Sequence, residues 1–310
     1  MFWDSCLKMA AYPKVKYLIV NADDFGYCSK RNQGILQAFQ KGVVTSISLM
    51  VNAESSVQAA ELAKEHGLPV GLHLNLSEGR PLVLGHKTLV DSDGFMKAKE
   101  QLQKLLSQGI IDKKEIQQEI KAQLQWFQDH VGRNPTHVDG HQHVHVFPTV
   151  CEILAATMQQ MGLKKTRNPV ELSLQSCPWI PQARLEFFNG VVHNAAAALD
   201  VYSKAGISFP QRFVGLTTMG KNMTEERLQQ ALSTAFKCQT TFPDNGWSNT
   251  CELMVHPGFA STAGRGGCGG GPDEFAQSLD REHELHILTS ESFRSFLDSQ
   301  NFLLQSYHDL

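Results

Sequence analysis

The densest group of reactive side chains in the sequence lies in the segment HVDGHQHVHV, residues 137–146. It contains four histidines and one aspartate within nine positions. Imidazole is close to neutral at pH 7 and is a good ligand for divalent metals of intermediate softness. A strand would turn alternate residues to one side, whereas a helix would bring His141 and His145 to one face. Gly140 is expected to interrupt the strand, so the pattern favours a metal site built from part of this group over a histidine-rich surface loop.

A pair of adjacent carboxylates, Asp23 and Asp24, follows the apolar run KYLIV (16–20) in the motif NADDFG. Adjacent like charges repel, and a buried carboxylate must be paired or bound to a cation. A single histidine in an apolar strand, such as His73 in GLHLNL, is more often a satisfied core residue than a ligand. If the strands that carry Asp24, His73 and His141 are neighbours, these residues form a two-histidine, one-carboxylate set with open positions for water. That set suits Zn²⁺, Fe²⁺, Co²⁺, Mn²⁺ or Ni²⁺ better than Mg²⁺.

A further histidine, His256, ends the apolar stretch ELMV and is followed by Pro257, which stops a strand at this point. A strand-end histidine exposed to solvent is the ordinary interpretation. In a barrel, however, this strand would end on the same face as Asp24, where a histidine is well placed to act as a general acid. The nearby segment AGRGGCGGG (263–271) contains a literal G-x-G-x-x-G. Because it does not join a strand to a helix, we interpret it as a flexible lid and not as a dinucleotide site.

Apolar runs and amphipathic stretches alternate along the chain, which predicts a parallel sheet covered by helices. The predicted strands cover residues 16–24, 43–52, 68–76, 136–141, 163–168, 212–218 and 250–258. The predicted helices cover 29–42, 55–67, 148–162, 224–236 and 290–300, with two within 99–131 that separate near Gly109 and one around 191–206. Four of the strands end in aspartate or histidine side chains. In a (β/α) barrel, the active site lies at this end of the strands, so we predict an α/β fold of the (β/α) barrel type with about seven parallel strands. The alternative is an open, doubly wound sheet.

Length and charge restrict the remaining possibilities. The chain of 310 residues is long for an average domain but ordinary for one barrel, so we expect an N-terminal extension over 1–15 and a single barrel domain over 16–310. The net charge of −3 leaves no electrostatic footprint for nucleic acid or for an anionic membrane surface. No apolar run approaches the roughly 18 residues of a membrane helix, so neither nucleic acid nor a membrane is an expected partner.

Cysteine usage predicts a cytoplasmic protein. The seven cysteines are odd in number, scattered and without a CxxC pair, which is typical of reduced thiols. The N-terminal extension makes a poor signal peptide, because Asp4 and Lys8 interrupt any apolar core. Apolar surface on the excursions at 78–98 and 170–210 could pair subunits, so a homo-oligomer is a candidate assembly.

Five motifs occur in a recognisable order: NADDFG, TS with a VN strand end, GLHLNLSEGRPL, THVDGHQHVHVFP and HPG. Over about residues 16–300, this ordered set closely resembles the YdjC family of carbohydrate deacetylases, which includes chitooligosaccharide deacetylases, and it looks most like an animal member. The resemblance implies a (β/α) barrel of the glycoside hydrolase/deacetylase type. It also implies hydrolysis of the N-acetyl group of an amino sugar, with an acetylated carbohydrate as substrate and a divalent metal, Mg²⁺ or Zn²⁺, as cofactor.

The resemblance further implies roles for individual residues. The first aspartate of the pair, Asp23, would be the base, and Asp24, His73 and His141 would bind the metal. His256 is similar to the catalytic acid of related deacetylases. The chemistry of the residues agrees, because amide hydrolysis needs an activated water, a stabilised oxyanion and a protonated amine leaving group.

Other polar residues near these motifs are candidates for supporting roles. Asp139 and either His143 or His145 could fix the tautomer of a ligand imidazole by hydrogen bonding. Arg80 and Arg167 could bind sugar hydroxyls or a charged group of the substrate.

Two alternative functions remain open from the sequence. The first is another metal hydrolase on the same barrel, such as a glycosidase or a phosphoesterase. A glycosidase usually needs two carboxylates about 5–10 Å apart on opposite sides of the scissile bond, and the adjacent Asp23 and Asp24 fit a base and a ligand better. The second is a non-enzymatic protein that binds carbohydrate or protein and retains the metal, although such a protein has no need for a base beside the metal.

Overall fold

The computed structural model describes residues 15–238, 247 and 249–309. Of the N-terminal extension predicted over 1–15, all residues except Val15 lie outside the described residues. Among the helices that the structure describes, none is both long enough and apolar enough to cross a bilayer.

A seven-stranded sheet forms the centre of the molecule, and all of its strand pairs are parallel. Its strands are β1 (Lys16–Phe25), β2 (Ser46–Leu49), β3 (Val70–Leu74), β4 (Val138–Gly140), β5 (Arg212–Val214), β6 (Thr250–Val255) and β7 (Phe302–Leu304). They lie in the order β4-β3-β2-β1-β6-β5, and β7 pairs with the start of β1. Two parallel bridges, Val138 to Thr166 and Lys165 to Ser208, lead from β4 towards β5. The sheet therefore curls towards closure, which confirms the predicted barrel-like α/β class.

One predicted strand differs from the structure. Residues 163–168 contribute only the single-residue bridges. The hydroxyl of Thr166 donates to the carbonyl of Val138, and its backbone N–H donates to the carbonyl of Ser208. The seventh strand of the sheet is instead β7, which the sequence analysis did not predict. The three residues of β7, Phe-Leu-Leu, show no alternation of polar and apolar residues that could identify a strand.

The helices follow the strands as the periodicity predicted. They are α1 (Ser29–Lys41), α2 (Ser56–Glu65), α3 (Lys99–Ser107), α4 (Lys113–Val131), α5 (Pro148–Gln160), α6 (Gln182–Lys204), α7 (Glu225–Lys237), α8 (Glu274–Gln277), α9 (Asp280–Leu288) and α10 (Glu291–Ser299). The expected break near Gly109 separates α3 from α4, and the Asp112 side chain caps the start of α4 by accepting the N–H of Lys114. Two helices, α8 and α9, were not predicted.

Alternation along the strands divides the interior into an apolar and a polar layer. In β1, Leu18, Val20 and Ala22 belong to the large apolar cluster that also contains residues of the surrounding helices. The side chains between them, Asn21 and Asp23, are buried on the opposite side and hydrogen bond to each other. The same alternation recurs in the neighbouring strands and places Ser48, His73, Asp139 and Glu252 in the polar layer. The inside of the barrel is therefore a network of polar and charged groups.

Two carboxylates of α4 hold the predicted excursion that follows β3. Glu119 accepts the backbone N–H groups of Leu82 and Val83 at 2.9 and 3.0 Å. One turn earlier, Glu115 accepts N–H groups of residues 87–89. These bonds satisfy backbone donors that no secondary structure would otherwise satisfy, so an irregular segment is fixed beside the carboxyl end of β3.

We expect the Glu119→Gln substitution to destabilise the protein. The side chain is fully buried, and an amide in its place would turn an NH₂ donor towards the N–H of Leu82 or Val83. The free energy of unfolding should fall by about 1–3 kcal/mol, measured by urea denaturation. The matched control is Glu61→Gln on the exposed face of α2, which should change stability by less than about 0.5 kcal/mol. Equal unfolding midpoints for the two variants would contradict this account of the excursion.

Candidate active site

Three of the predicted residues meet at the carboxyl end of the sheet. The Nε2 atom of His73 lies 3.5 Å from Oδ1 of Asp24, and the Nδ1 atom of His141 lies 3.4 Å from the same oxygen. One possible ligand atom from each of the three residues lies within 4.8 Å of the other two, and all three side chains are buried. The two histidines come from neighbouring strands, since His73 lies in β3 and His141 directly follows β4.

The end of β1 turns both aspartates into this site. Its register shifts between Ala22 and Phe25, and Asp24 adopts the left-handed conformation with φ of 66°. Without such a shift, alternation along the strand would send the two side chains to opposite faces. A left-handed aspartate is uncommon and places strain at this position. The local backbone is therefore arranged so that Asp23 and Asp24 point into one cavity.

Charge at the site favours a bound cation. Burial lowers the pKa of His73, but Asp139 and Asp23 outweigh it and raise the value to about 10. In the same way, hydrogen bonds to Asp24 and Glu78 overcome burial and raise the pKa of His141 to about 9. The carboxylates thus retain two protons on buried imidazoles, and a divalent ion can replace those protons. The donor set fits a divalent metal on this ground.

The outer nitrogens of both imidazoles are held by carboxylates. His73 Nδ1 lies 2.8 Å from Asp139 Oδ1, which leaves Nε2 to face Asp24. His141 Nε2 lies 2.9 Å from Glu78 Oε2, which leaves Nδ1 to face Asp24. Such contacts select the tautomer of a metal ligand. The structure thus places Asp139 where the sequence suggested, whereas Glu78 was missed, although it lies in the quoted motif GLHLNLSEGRPL.

Two further histidines of the dense segment, His143 and His145, make other contacts. His143 packs edge-on against the ring of Phe213, with 6.3 Å between the ring centroids. His145 is fully buried, and its carbonyl accepts the hydroxyl of Tyr202. Within the described part of the chain, neither ring hydrogen bonds to His73 or His141. The structure therefore does not place them as the tautomer-fixing partners that the sequence suggested.

Asp23 is held by a buried arginine. Arg167 donates two hydrogen bonds to its carboxylate, at 2.6 and 2.7 Å, and Asn21 donates a third at 2.8 Å. The same guanidinium lies 2.9 Å from Asp139 and 2.8 Å from Glu252. Arg167 is only 1% exposed, so the structure places it inside the barrel and not where it could bind a sugar.

Arg80 also lies away from the site. Its guanidinium is 4.2 Å from the centre of the Phe95 ring and donates to the carbonyl of Asp93. It is exposed on the excursion and does not line the cavity that contains the two aspartates. The suggested contact of Arg80 with substrate therefore has no support in this geometry.

His256 also lies close to Asp23. Its Nε2 atom is 3.9 Å from Asp23 Oδ2. Burial and the nearby Arg281 lower the pKa of His256 to about 3, so the imidazole is neutral near pH 7. Arg281 also pairs with Asp24 at 2.9 Å, and it holds the pKa of that carboxyl well below its usual range although burial opposes this.

Asp23, Asp24, His73, His141 and His256 line one cavity of about 220 Å³. Its lining combines the reactive side chains with a group of apolar residues, called the apolar wall below. That wall contains Phe187, Phe188, Leu216, Met219 and Phe275, while Lys99 and Arg184 also line the cavity. These apolar residues could not be predicted from the sequence, because they lie in segments with no recognisable motif.

Comparison with known proteins agrees with this arrangement of motifs. The family model described as "YdjC-like protein" matches residues 17–299. A Xenopus laevis carbohydrate deacetylase is 42% identical over 97% of this chain and 100% of its own length. The human carbohydrate deacetylase is 41% identical over 94% and 90%, and a Yersinia enterocolitica chitooligosaccharide deacetylase is 33% identical over 95% and 99%. The chain belongs to the YdjC-like family, as its motifs indicated.

A solved structure supports the fold. The crystal structure of an Enterococcus faecalis V583 protein, provisionally named for cellobiose-phosphate cleavage, superposes with a TM-score of 0.71. It shares 23% sequence identity and covers 95% of this chain and 98% of its own. At this identity the similarity extends to the fold alone.

We expect the double substitution His73→Ala with His141→Ala to abolish binding of a divalent first-row metal. Both residues supply a nitrogen near Asp24 Oδ1, so their loss leaves one carboxylate as the remaining ligand of the set. Metal content should be measured by elemental analysis after loading with Zn²⁺ or Mn²⁺ and desalting. His143→Ala is the matched control, since it removes a buried histidine of the same cavity outside the set, and it should retain the metal. Undiminished metal in the double variant would exclude these ligands.

Proposed function

We propose that this member of the YdjC-like family is a metal-dependent carbohydrate deacetylase that removes the N-acetyl group of an amino sugar. The observation that carries the proposal is the position of Asp23, whose Oδ2 atom lies 4.0 Å from Nε2 of His73, a member of the Asp24–His73–His141 set, and 3.9 Å from Nε2 of His256. The deacetylase names of relatives that match nearly the full chain support the choice of reaction.

The donor set of two imidazoles and one carboxylate favours a first-row ion such as Zn²⁺ over Mg²⁺. When bound, such an ion would act as a Lewis acid on the acetyl carbonyl and lower the pKa of a water ligand. Asp24, His73 and His141 would hold it, with Asp139 and Glu78 orienting the two imidazoles.

Asp23 serves as the general base in this proposal. The paired hydrogen bonds from Arg167 keep its carboxylate oriented. Its Oδ2 atom accepts the proton of the attacking water as the water oxygen bonds to the acetyl carbon.

His256 then moves that proton to the leaving nitrogen. Because the imidazole is neutral at rest, it accepts the proton from Asp23 and is not itself the original source. The 3.9 Å separation of its Nε2 from Asp23 Oδ2 suits such a transfer once the substrate is bound. The carbon–nitrogen bond breaks, the amine takes the proton, and acetate is the other product.

The alternative functions have less support. A glycosidase needs two carboxylates on opposite sides of a bond, and here Asp24 is paired with Arg281 and lies against the two imidazoles. A binding protein would not need Asp23 to be held by Arg167 next to a metal set. A cytoplasmic location and a homo-oligomeric assembly stay predictions, the first from the scattered cysteines and the second from the two excursions.

We expect Asp23→Asn to retain the bound metal and to lose catalysis. The amide cannot accept the water proton, so turnover should fall by about 10²- to 10⁴-fold. The measurement is acetate release from N-acetylglucosamine oligomers by the metal-loaded protein, with metal content determined on the same sample.

The matched control is Asp298→Asn, which changes an exposed aspartate at the end of α10 and should leave turnover unchanged. Near-wild-type turnover of Asp23→Asn would remove this residue as the base. The deacetylase proposal itself fails if the metal-loaded wild-type protein releases no acetate from a broad panel of acetylated sugars.

A further inference from the structure

We propose that Glu284 of α9 is a positioning residue for this reaction, which orients His256 by holding its backbone. The inference rests on the proposed function, in which Nε2 of His256 delivers a proton to the leaving nitrogen. No sequence motif marks Glu284, which is not a member of the Asp24–His73–His141 set and does not itself line the cavity.

The imidazole of His256 lacks the usual means of orientation. A catalytic histidine is normally fixed by a hydrogen bond from its second ring nitrogen to a carboxylate or carbonyl. Here Nδ1 is buried and has no hydrogen-bond partner among the described residues. The ring has an edge contact with Phe275, at 5.8 Å between centroids, which restricts its space without a directional bond.

The backbone of His256 is instead held on both sides by buried charged groups. Its N–H donates to Oε2 of Glu284. Its carbonyl accepts from Nη1 of Arg31 at 3.3 Å and lies 3.5 Å from Nη1 of Arg281. The next residue is Pro257, whose ring fixes the chain direction. These contacts fix the backbone from which the ring extends, and Phe275 restricts the ring itself, so together they limit where Nε2 points.

Glu284 also connects the end of β6 to the loop that carries Met219 of the cavity lining. Its Oε1 atom accepts the N–H of Gly220 at 2.6 Å. Gly220 follows Met219, which lines the cavity. Its φ is 63°, and a Cβ atom at this position would lie only 2.6 Å from the carboxylate of Asp280, so glycine is needed here. One fully buried carboxylate thus fixes β6 and the loop after β5 relative to each other.

The same helix offers a matched control. Glu282 accepts the N–H of Ala260 at 3.1 Å, so it makes the same kind of bond to a neighbouring loop. In the part of the chain that the structure describes, no hydrogen bond or ion pair joins Glu282 to His256. Because Glu282 is only partly buried, a difference between the two residues reports on the two buried bonds of Glu284, to His256 and to Gly220.

The test is the Glu284→Gln substitution with two substrates. Glutamine retains the shape of the side chain but turns an NH₂ group towards one of the two N–H donors. For N-acetylglucosamine oligomers, whose amine must be protonated to leave, we expect kcat to fall by about 10- to 100-fold. KM should change by less than about threefold, and metal content should not change. For 4-nitrophenyl acetate, the ester C–O bond breaks and nitrophenolate departs without a proton, so kcat should fall by less than about threefold.

The controls separate this inference from the proposed function. His256→Ala should show the same selective loss on the amide, and Glu282→Gln should lose activity on neither substrate. Equal losses of Glu284→Gln on both substrates, or no loss, would overturn the role of Glu284 while leaving that of His256 intact. If His256→Ala shows no selectivity, the proton-delivery role fails and this inference fails with it. If Glu284→Gln does not fold, Glu284→Asp retains both oxygens at shorter reach, and it should show a smaller loss with the same selectivity.

Discussion

A single guanidinium at the centre of the barrel is the constraint on which the rest of the site depends. Arg167 is surrounded by the carboxylates of Asp23, Asp139 and Glu252, which are all buried. These carboxylates raise the pKa of Arg167 well above its usual range even though burial opposes this. The arginine orients Asp23, the proposed base, and through Asp139 it orients His73 of the candidate metal set. The orientation of the proposed base and that of a candidate metal ligand therefore both depend on Arg167.

A polar barrel interior brings little net stability, because the desolvation of buried charges offsets much of their attraction. What it supplies is fixed geometry, since removing one partner would strand the others. The C-terminal segment completes this layer. The hydroxyl of Tyr307 donates to Glu252 at 2.7 Å, and its ring stacks on His137. Burial raises the pKa of Glu252 to about 7, so this third carboxylate is only partly ionised at neutral pH and limits the excess of negative charge.

The sequence predicted the strand–helix order and the meeting of Asp24, His73 and His141, because parallel strands converge at their carboxyl ends and each residue closes a strand. It could not predict Arg167 as the holder of Asp23, since LKKTRN has no pattern that distinguishes an inward arginine from a surface one. It also missed α9, which supplies Arg281 and Glu284. The glycine-rich segment, expected to be a flexible lid, is hydrogen bonded to Tyr27 and Glu54. All of these features depend on contacts between residues far apart in the chain.

The repulsion between the adjacent carboxylates of Asp23 and Asp24 is offset by two arginines. Each has its own arginine, Asp23 with Arg167 from inside the barrel and Asp24 with Arg281 from α9. The pKa values of about 10 and 9 then place one proton on each metal-facing imidazole nitrogen near neutral pH. Exchange of these two protons for one divalent ion leaves the total charge unchanged. The paired hydrogen bonds from Arg167 to Asp23, the proposed base, therefore face no change in net charge when a metal replaces those protons.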